Sequence, residues 1–292
     1  MKQVFVIGGA ALDITGFPKD ICRLRDSNLG SVRIAVGGVG RNVASHLVPY
    51  GPEVQLVTAI GNDFRASVIE ADCQRHGVRL DHTLHVDLPS ATFLCVLDED
   101  GDLLSGISDM EIMDCLSPDF FAQLLPEINR CDLCVIDSNL TPEALDFLTH
   151  SVSAPLYYEP VSCAKARRLG CNIGLFHTVK PNRFEAEQLS GCSCDTIRGV
   201  YRAAEWFLRQ GVQQVFISLG SDGVVYANPD VCGHIEAEKV EVRNTAGAGD
   251  VMSAAIINAM LDGLGIAECA AFGNQKSGAY CAAARATGVS AF

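Results

Sequence analysis

Val4-Phe5-Val6-Ile7-Gly8 is a run of β-branched and aromatic residues closed by glycine. A strand apolar at every position is buried on both faces, as the strands of parallel sheets are. The pattern returns at Val54–Ile60, Leu133–Asp137, Pro155–Glu159, His177–Lys180 and Val215–Leu219. Helical patterns fall between: Arg41–Tyr50, Phe64–His76, Pro142–Val152, Arg183–Ser190 and Ile197–Gln210. Thr141 before Pro142 reads as an N-cap with proline at the first helical position. Short strands alternating with longer helices predict an α/β fold, with a mostly parallel central sheet flanked by helices on both faces. One domain spanning residues 1–292 is expected.

Two stretches break this rhythm. Gly30–Val36 and Ala91–Met110 read as strands without intervening helices, and Asp98-Glu99-Asp100-Gly101-Asp102 reads as the polar turn of a hairpin. Strands within about 14–36 and 91–110 would build a small β-sheet outside the main one. Such a sheet either acts as a lid that keeps water from a site or is a plain surface hairpin.

Composition narrows the function classes. Of 292 residues, 48% are hydrophobic, enough for a sizeable core, and the formal net charge of −13 argues against a nucleic-acid partner. A phosphate ligand stays compatible, because a few local donors and Mg²⁺ reverse the local field. The N-terminal apolar run is short and meets Asp13, unlike a secretory signal, and the apolar run Val251–Leu261 is far below bilayer length. A soluble, cytoplasmic protein with no membrane partner is expected. The 13 cysteines are scattered, and Cys95, Cys134 and Cys281 lie in apolar runs, as free thiols do. Cys131 and Cys134 form a CxxC and Cys192 and Cys194 a CxC, without two further ligands at zinc spacing.

Five segments have the residue types for chemistry. Asn244-Thr245-Ala246-Gly247-Ala248-Gly249-Asp250 precedes an apolar helix. Its small residues admit a ligand close to the backbone, and the helix start offers N–H groups and a positive dipole end to an anion. Asp250 there is either a helix-start carboxylate stabilised by the dipole or a base that takes a proton from a hydroxyl. Gly37-Gly38-Val39-Gly40-Arg41-Asn42 also puts glycines before a helix, with Asn42 able to donate to and accept from a vicinal diol. It has neither dinucleotide GxGxxG spacing nor a Walker A lysine. Asp13, following the first strand, is a loop or capping residue or a carboxylate for sugar hydroxyls. In Lys180-Pro181-Asn182-Arg183-Phe184-Glu185, Asn182 and Glu185 share a helix face and either hold hydrated Mg²⁺ or cap the helix. Ser218-Leu219-Gly220-Ser221-Asp222-Gly223 is a strand end and glycine turn, either a hairpin or a source of backbone donors to a nucleotide.

In this order, Asp13, GGVGRN, a lid hairpin, KPNRFE, SLGSDG and TAGAGD resemble the ribokinase-like, or PfkB-type, carbohydrate kinases over nearly the whole chain. The resemblance implies a ribokinase-like fold and an ATP-dependent kinase, a phosphotransferase acting on an alcohol group. It implies Asp250 as the base, with Gly247, Ala248 and Gly249 as the anion hole. Asp13, Gly37, Gly38 and Asn42 would hold the sugar. Asn182 and Glu185 would lie near the ATP phosphates, with Glu185 reaching Mg²⁺ through water. Ser218, Gly220 and Gly223 would run along the nucleotide, and Asn274 would border the adenine. A monovalent cation such as K⁺ also belongs to the implied set, as does a homodimer formed through the lid strands.

Within the family, Asp26-Ser27-Asn28-Leu29-Gly30, GGVGRN, Ser108-Asp109-Met110, Pro160-Val161-Ser162 with Lys165, and Lys180-Pro181-Asn182-Arg183 look like the pseudouridine kinase subgroup. This likeness implies the 5′-hydroxyl of pseudouridine as acceptor, with Asn28 and Asp109 as lid contacts. Ribokinase, fructokinase or adenosine-kinase-like activity, or an idle nucleoside-binding protein, are the alternatives. Two departures stand out. Asn244 replaces an Asp common in the family, and the chain ends at Gly288–Phe292, where relatives often carry a further helix or strand.

Overall fold

A computed structural model describes residues 1–99, 102–243 and 245–283. Asn244, the tip of the 98–102 turn and Gly288–Phe292 lie outside the described residues. Strand β1 (Gln3–Ile7) starts the main sheet, and the chain then leaves it for β2 (Ala11–Pro18) and β3 (Gly30–Gly37). Helix α1 (Val39–Leu47) returns it to β4 (Glu53–Val57). After β5 (Ala59–Ile60), α2 (Phe64–Arg75) and β6 (Leu84–His85) comes the hairpin of β7 (Thr92–Leu97) and β8 (Leu103–Asp109). The alternation then runs α3 (Pro118–Ile128), β9 (Leu133–Asp137), α4 (Pro142–Ser151), β10 (Leu156–Glu159), α5 (Cys163–Ala166), β11 (Thr178–Val179), α6 (Arg183–Ser190), α7 (Ile197–Gln210) and β12 (Gln214–Ser218). Strands β13 (Val224–Ala227) and β14 (Cys232–Ile235) precede helices α8 (Ala248–Leu261) and α9 (Ile266–Ala283).

The main sheet has the order β14-β13-β12-β11-β10-β9-β1-β4, parallel from β4 to β12 with β13 and β14 as an antiparallel edge. Side chains alternate between two cores. Val4, Val6, Leu133, Val135, Tyr157 and Phe216 enter the core shared with α1, α2, α8 and α9. Phe5, Ile7, Cys134, Ile136, Tyr158, Val215 and Ile217 enter the other, shared with α3, α4 and α7. Both cores consume apolar side chains, which is why these strands read as unbroken apolar runs. Val54–Ile60 is the exception to its reading. It divides at Thr58 into β4 and β5, and β5 pairs with β6 in a separate two-stranded sheet.

The small sheet has the order β3-β2-β7-β8. Its strands fall in the two segments expected outside the main sheet, the first beginning earlier, at Ala11 and not near residue 14. Asp13 therefore does not sit in a loop after the first strand. It lies within β2, opposite Ala35 on β3 and Phe93 on β7. One cross-strand row holds Ala35, Asp13, Phe93 and Ser108, and the neighbouring row of the opposite face holds Ile34, Ile14, Leu94 and Ile107, of which Leu94 and Ile107 are exposed.

Candidate active site

The parallel strands end on one rim of the sheet, where ligands of open α/β sheets bind. Helix α8 starts on that rim. Gly247 is its N-cap at φ +80°, and no side chain caps the helix. The Ala248 N–H is spent on the Thr245 carbonyl at 3.1 Å, and the next N–H groups of the first turn, those of Gly249 and Asp250, have no acceptor within the helix and suit an anion. The turn's carbonyl side is held from behind. Ser277 on α9 donates to the Ala248 carbonyl at 3.0 Å, and Lys180 and Ser253 donate to the Gly249 carbonyl at 3.3 and 3.1 Å. Asp250, the third residue of the helix, does not fold back on its own N-cap. Its Oδ2 accepts instead from Asn42 Nδ2 on α1 at 2.8 Å. Burial pushes the Asp250 carboxyl up to about 6, with the Asn42 hydrogen bond and the Lys180 charge pulling down and Asp137 and Glu185 pushing up.

Asp13 faces the same space. Burial raises its carboxyl to about 6, the Arg41 charge opposes this and the Asp250 charge adds to it. Two carboxyl groups that feel each other's charge suit a substrate with several hydroxyls, one deprotonated and others held. Gly37 makes the room for Asp13: a Cβ there would stand 2.1 Å from Asp13 Oδ2. Gly38 follows as the N-cap of α1. The floor is Asp137, a fully buried carboxylate at the end of β9. It accepts from the backbone N–H groups of Gly9 at 2.9 Å, Gly40 at 3.0 Å and Asn139 at 2.8 Å. Asn139 in turn accepts from Lys165 at 2.6 Å.

The next helix start along the rim is built differently. Asn182 caps α6, accepting from the N–H groups of Phe184 and Glu185, while Glu185 Oε2 accepts from Asn182 N–H at 2.8 Å. This reciprocal box is the capping reading of the pair. Burial raises the Glu185 carboxyl, and the bond to Asn182 and the Lys180 charge oppose it. Beside the box Lys180 is buried 3.4 Å from Glu159 Oε2, and Ser253 donates to Glu159 as well. Burial alone would depress the Lys180 ammonium, but Glu159, Glu185 and Asp250 hold it above its ordinary range. Ser218 bridges to Asn182 in parallel register and leads into the Gly220–Gly223 turn. Gly223, at φ +91°, would place a Cβ 1.9 Å from the Ile235 carbonyl, so this turn needs glycine. A cavity of about 330 Å³ opens beside it, lined by Leu219, Ser221, Asp222, Arg183, His234 and Lys239 among others.

Three residues expected at the site stand apart from this cluster. Asn28 is exposed and its side chain closes its own loop, accepting from Arg23 N–H at 2.8 Å and donating to the carbonyls of Arg23 and Asp26. Asp109 is exposed at the end of β8, paired in register with Thr92. Asn274 is buried on α9 and donates to the Glu236 carbonyl at 2.9 Å, tying the helix to the segment after β14. Asn244 lies outside the described residues. The site also contains residues absent from the sequence reading. Asp137 and Glu159 each end an apolar parallel strand with a carboxylate, a signal visible in the sequence. Arg41, Ser253 and Ser277 carry no comparable signal.

Among the described residues, no three His, Cys, Asp or Glu side chains are set to enclose a metal ion. Glu185, a single carboxylate at a helix start on the rim, is a donor that would suit a Mg²⁺ keeping most of its waters.

Comparison with known proteins agrees with this geometry. Residues 1–290 match the model of the pfkB family carbohydrate kinases. The chain is 34% identical over 272 residues to the pseudouridine kinase of Escherichia coli, covering 92% of this chain and 87% of that one. It is 26% identical to a guanosine-inosine kinase of Exiguobacterium acetylicum, over 88% and 87% of the two chains. The crystal structure of ribokinase from Thermotoga maritima superposes with a TM-score of 0.84 at 22% identity, covering 97% of this chain and 93% of that one, which establishes the ribokinase-like fold. The chain belongs to the pfkB family of carbohydrate kinases. It is an ATP-dependent sugar or nucleoside kinase, a phosphotransferase acting on an alcohol group.

Proposed function

We propose that this kinase transfers the γ-phosphate of ATP to the 5′-hydroxyl of pseudouridine. The observation that carries the reading is Asp250, set in the first turn of a helix whose N-cap is a glycine, with its carboxylate bonded to Asn42 of the glycine loop. The relative named a pseudouridine kinase, 34% identical over 92% of the chain, supports the choice of nucleoside. Asp250 accepts the proton of the acceptor hydroxyl. The freed oxygen lone pair forms the new bond to the γ-phosphorus, and the bond to the β–γ bridging oxygen breaks to release ADP. The N–H groups of the Gly247, Ala248, Gly249 and Asp250 turn stabilise the charge that builds on the transferring group.

Asp13, Gly37, Gly38 and Asn42 hold the ribose so that one hydroxyl faces Asp250. The lid sheet closes over it and keeps water from taking the phosphate, with Asn28 and Asp109 meeting the base or ribose on closure. Ser218, Gly220 and Gly223 run along the nucleotide with Asn182, and Asn274 borders the adenine. Glu185 would hold Mg²⁺ through water, and the ion would supply neutralising charge at the phosphates. A monovalent cation such as K⁺ serves as an activator. Two copies join through their lid sheets, covering the exposed Leu94 and Ile107, and light scattering at a single-chain mass would contradict this.

The guanosine-inosine kinase relative motivates one rival, a purine nucleoside as acceptor. ADP release with Mg-ATP and a panel of pseudouridine, uridine, inosine, adenosine, ribose and fructose separates the two, with and without K⁺. Turnover on pseudouridine well above every other member is expected. Turnover on inosine or a free sugar would keep the kinase and discard this substrate.

A further inference from the structure

Among the described residues, the Asp250 side chain accepts one hydrogen bond, from the Asn42 amide, a group whose two ends have opposite roles. The ionised Asp250 only accepts and so draws the N–H₂, and the neighbouring Arg41 holds the other end of the amide. Arg41 is buried, and its Nη1 donates to Asn42 Oδ1 at 2.9 Å and to the Val36 carbonyl at 3.1 Å. A guanidinium only donates, so it accepts no bond from the amide nitrogen. The amide oxygen is therefore turned to Arg41 and the amide N–H₂ to Asp250. Arg41 is itself anchored by an ion pair of its Nη2 with Asp72 on α2, and Arg75 Nη2 lies 3.2 Å from the other Asp72 oxygen. The line Asp72, Arg41, Asn42, Asp250 thus runs from a helix on the outside of the fold to the rim of the sheet. Its Val36 branch touches β3 one residue before Gly37, where the lid sheet joins the substrate loop.

We propose that Arg41 is a positioning residue for phosphoryl transfer: it locks the Asn42 amide so that Asn42 donates to one oxygen of Asp250, leaving the other aimed at the acceptor hydroxyl. This rests on Asp250 as the base. With Arg41 gone the amide keeps its bond to the acceptor-only carboxylate but loses the anchor on its oxygen, so the position of the N–H₂ against Asp250 is no longer fixed. The groups that act on Asp250 from other elements are Lys180, Asp137, Glu185, Asp13, Glu159 and Tyr280, and among the described residues none of them hydrogen-bonds to the Asn42 amide. Their effect on Asp250 is independent of which way the amide points.

The test is a double-mutant cycle on the full chain, with turnover and ATP affinity measured for each variant. Arg41→Met is combined with Asp72→Asn, so that neither half of the buried pair is left with an unpartnered charge. The expected result is a fall in kcat of about tenfold or more with ATP affinity within about twofold of the parent. In an Asn42→Leu background the same pair of substitutions should cost less than about twofold further, because Arg41 acts through Asn42. Arg41→Lys keeps the charge but loses the fork, and should recover only part of kcat. Equal losses with and without Asn42, or an unchanged kcat, would overturn the proposal. Should the Arg41→Met pair fail to fold, Arg41→Lys in the two backgrounds decides the same question. Asp250→Asn measured alongside separates the two readings: full turnover there removes the base itself, whereas a dead Asp250→Asn with an additive Arg41 effect removes only the positioning role.

Discussion

Two helices begin within reach of each other on the same rim, and each has an acid at its third position. At α6, Glu185 reaches back to the Asn182 N–H while Asn182 accepts from Glu185 in return, so the helix start satisfies itself. At α8, Gly247 offers no side chain, and Asp250 turns away to Asn42 on another helix. A closed start adds stability and leaves few free donors. An open start leaves first-turn donors and a carboxylate that are not tied to their own cap, at a cost in stability, and such costs are characteristic of active sites. Both starts have an acid in the first turn, so the motif alone does not tell them apart. The difference lies in which partner each acid finds.

That contrast can be broken in several ways. The largest effect is expected from pH. A base must be ionised to accept a proton, and Asp250 and Asp13 are both raised to about 6 by burial. Turnover at low substrate should therefore level off above pH 7 and fall at least tenfold per unit below about 6. A profile flat down to pH 5 would contradict the assignment. Glu185→Gln keeps an oxygen for the Asn182 N–H and so keeps the cap. It should raise the Mg²⁺ concentration for half-maximal rate several-fold, about fivefold, with recovery at high Mg²⁺. No change in the Mg²⁺ dependence would confine Glu185 to capping. Asn182→Ala opens the closed start and should cost about 1 kcal/mol in urea unfolding. Asp63 gives a control far from the chemistry. It caps α2 by accepting from Ala66 N–H and also accepts from the Ser90 N–H and hydroxyl. Burial works to raise its carboxyl, but these bonds and Arg65 outweigh it and hold the pKa low. Its stabilisation is therefore present above the ordinary carboxylate pKa and is lost as pH falls through the depressed one. Asp63→Ala should cost about 1 kcal/mol at pH 7 and leave turnover within about twofold.

Much of this was legible in the sequence because burial on two faces writes itself as unbroken apolar runs. Leu133–Asp137 has the same bounds in both readings, and the caps at Thr141 and Asn182 fall where their residue types put them. The lid was legible where its strands pair locally, as β7 and β8 do. Ala11–Pro18 was not, since it contains glycine and proline and takes its partners from β3 and from β7, some eighty residues along the chain. Asp13 went with it, placed after the first strand and not within a second one. Helix α3 escaped notice because Pro126 interrupts its interior. Within the site, glycine and carboxylate motifs were visible, but the bond from Asn42 to Asp250 spans 208 residues and exists only in the fold.

The most direct test of the account is the Asp250→Asn variant, assayed for turnover, for ATP and nucleoside binding, and for thermal unfolding at pH 7. Because the folded-state pKa of Asp250 is raised, its ionised form costs stability at pH 7, and the amide removes that cost. The account predicts turnover down by a factor of about 10² or more, binding largely intact, and a melting temperature equal to or above that of the parent. Near-normal turnover in a variant that folds and binds would contradict it.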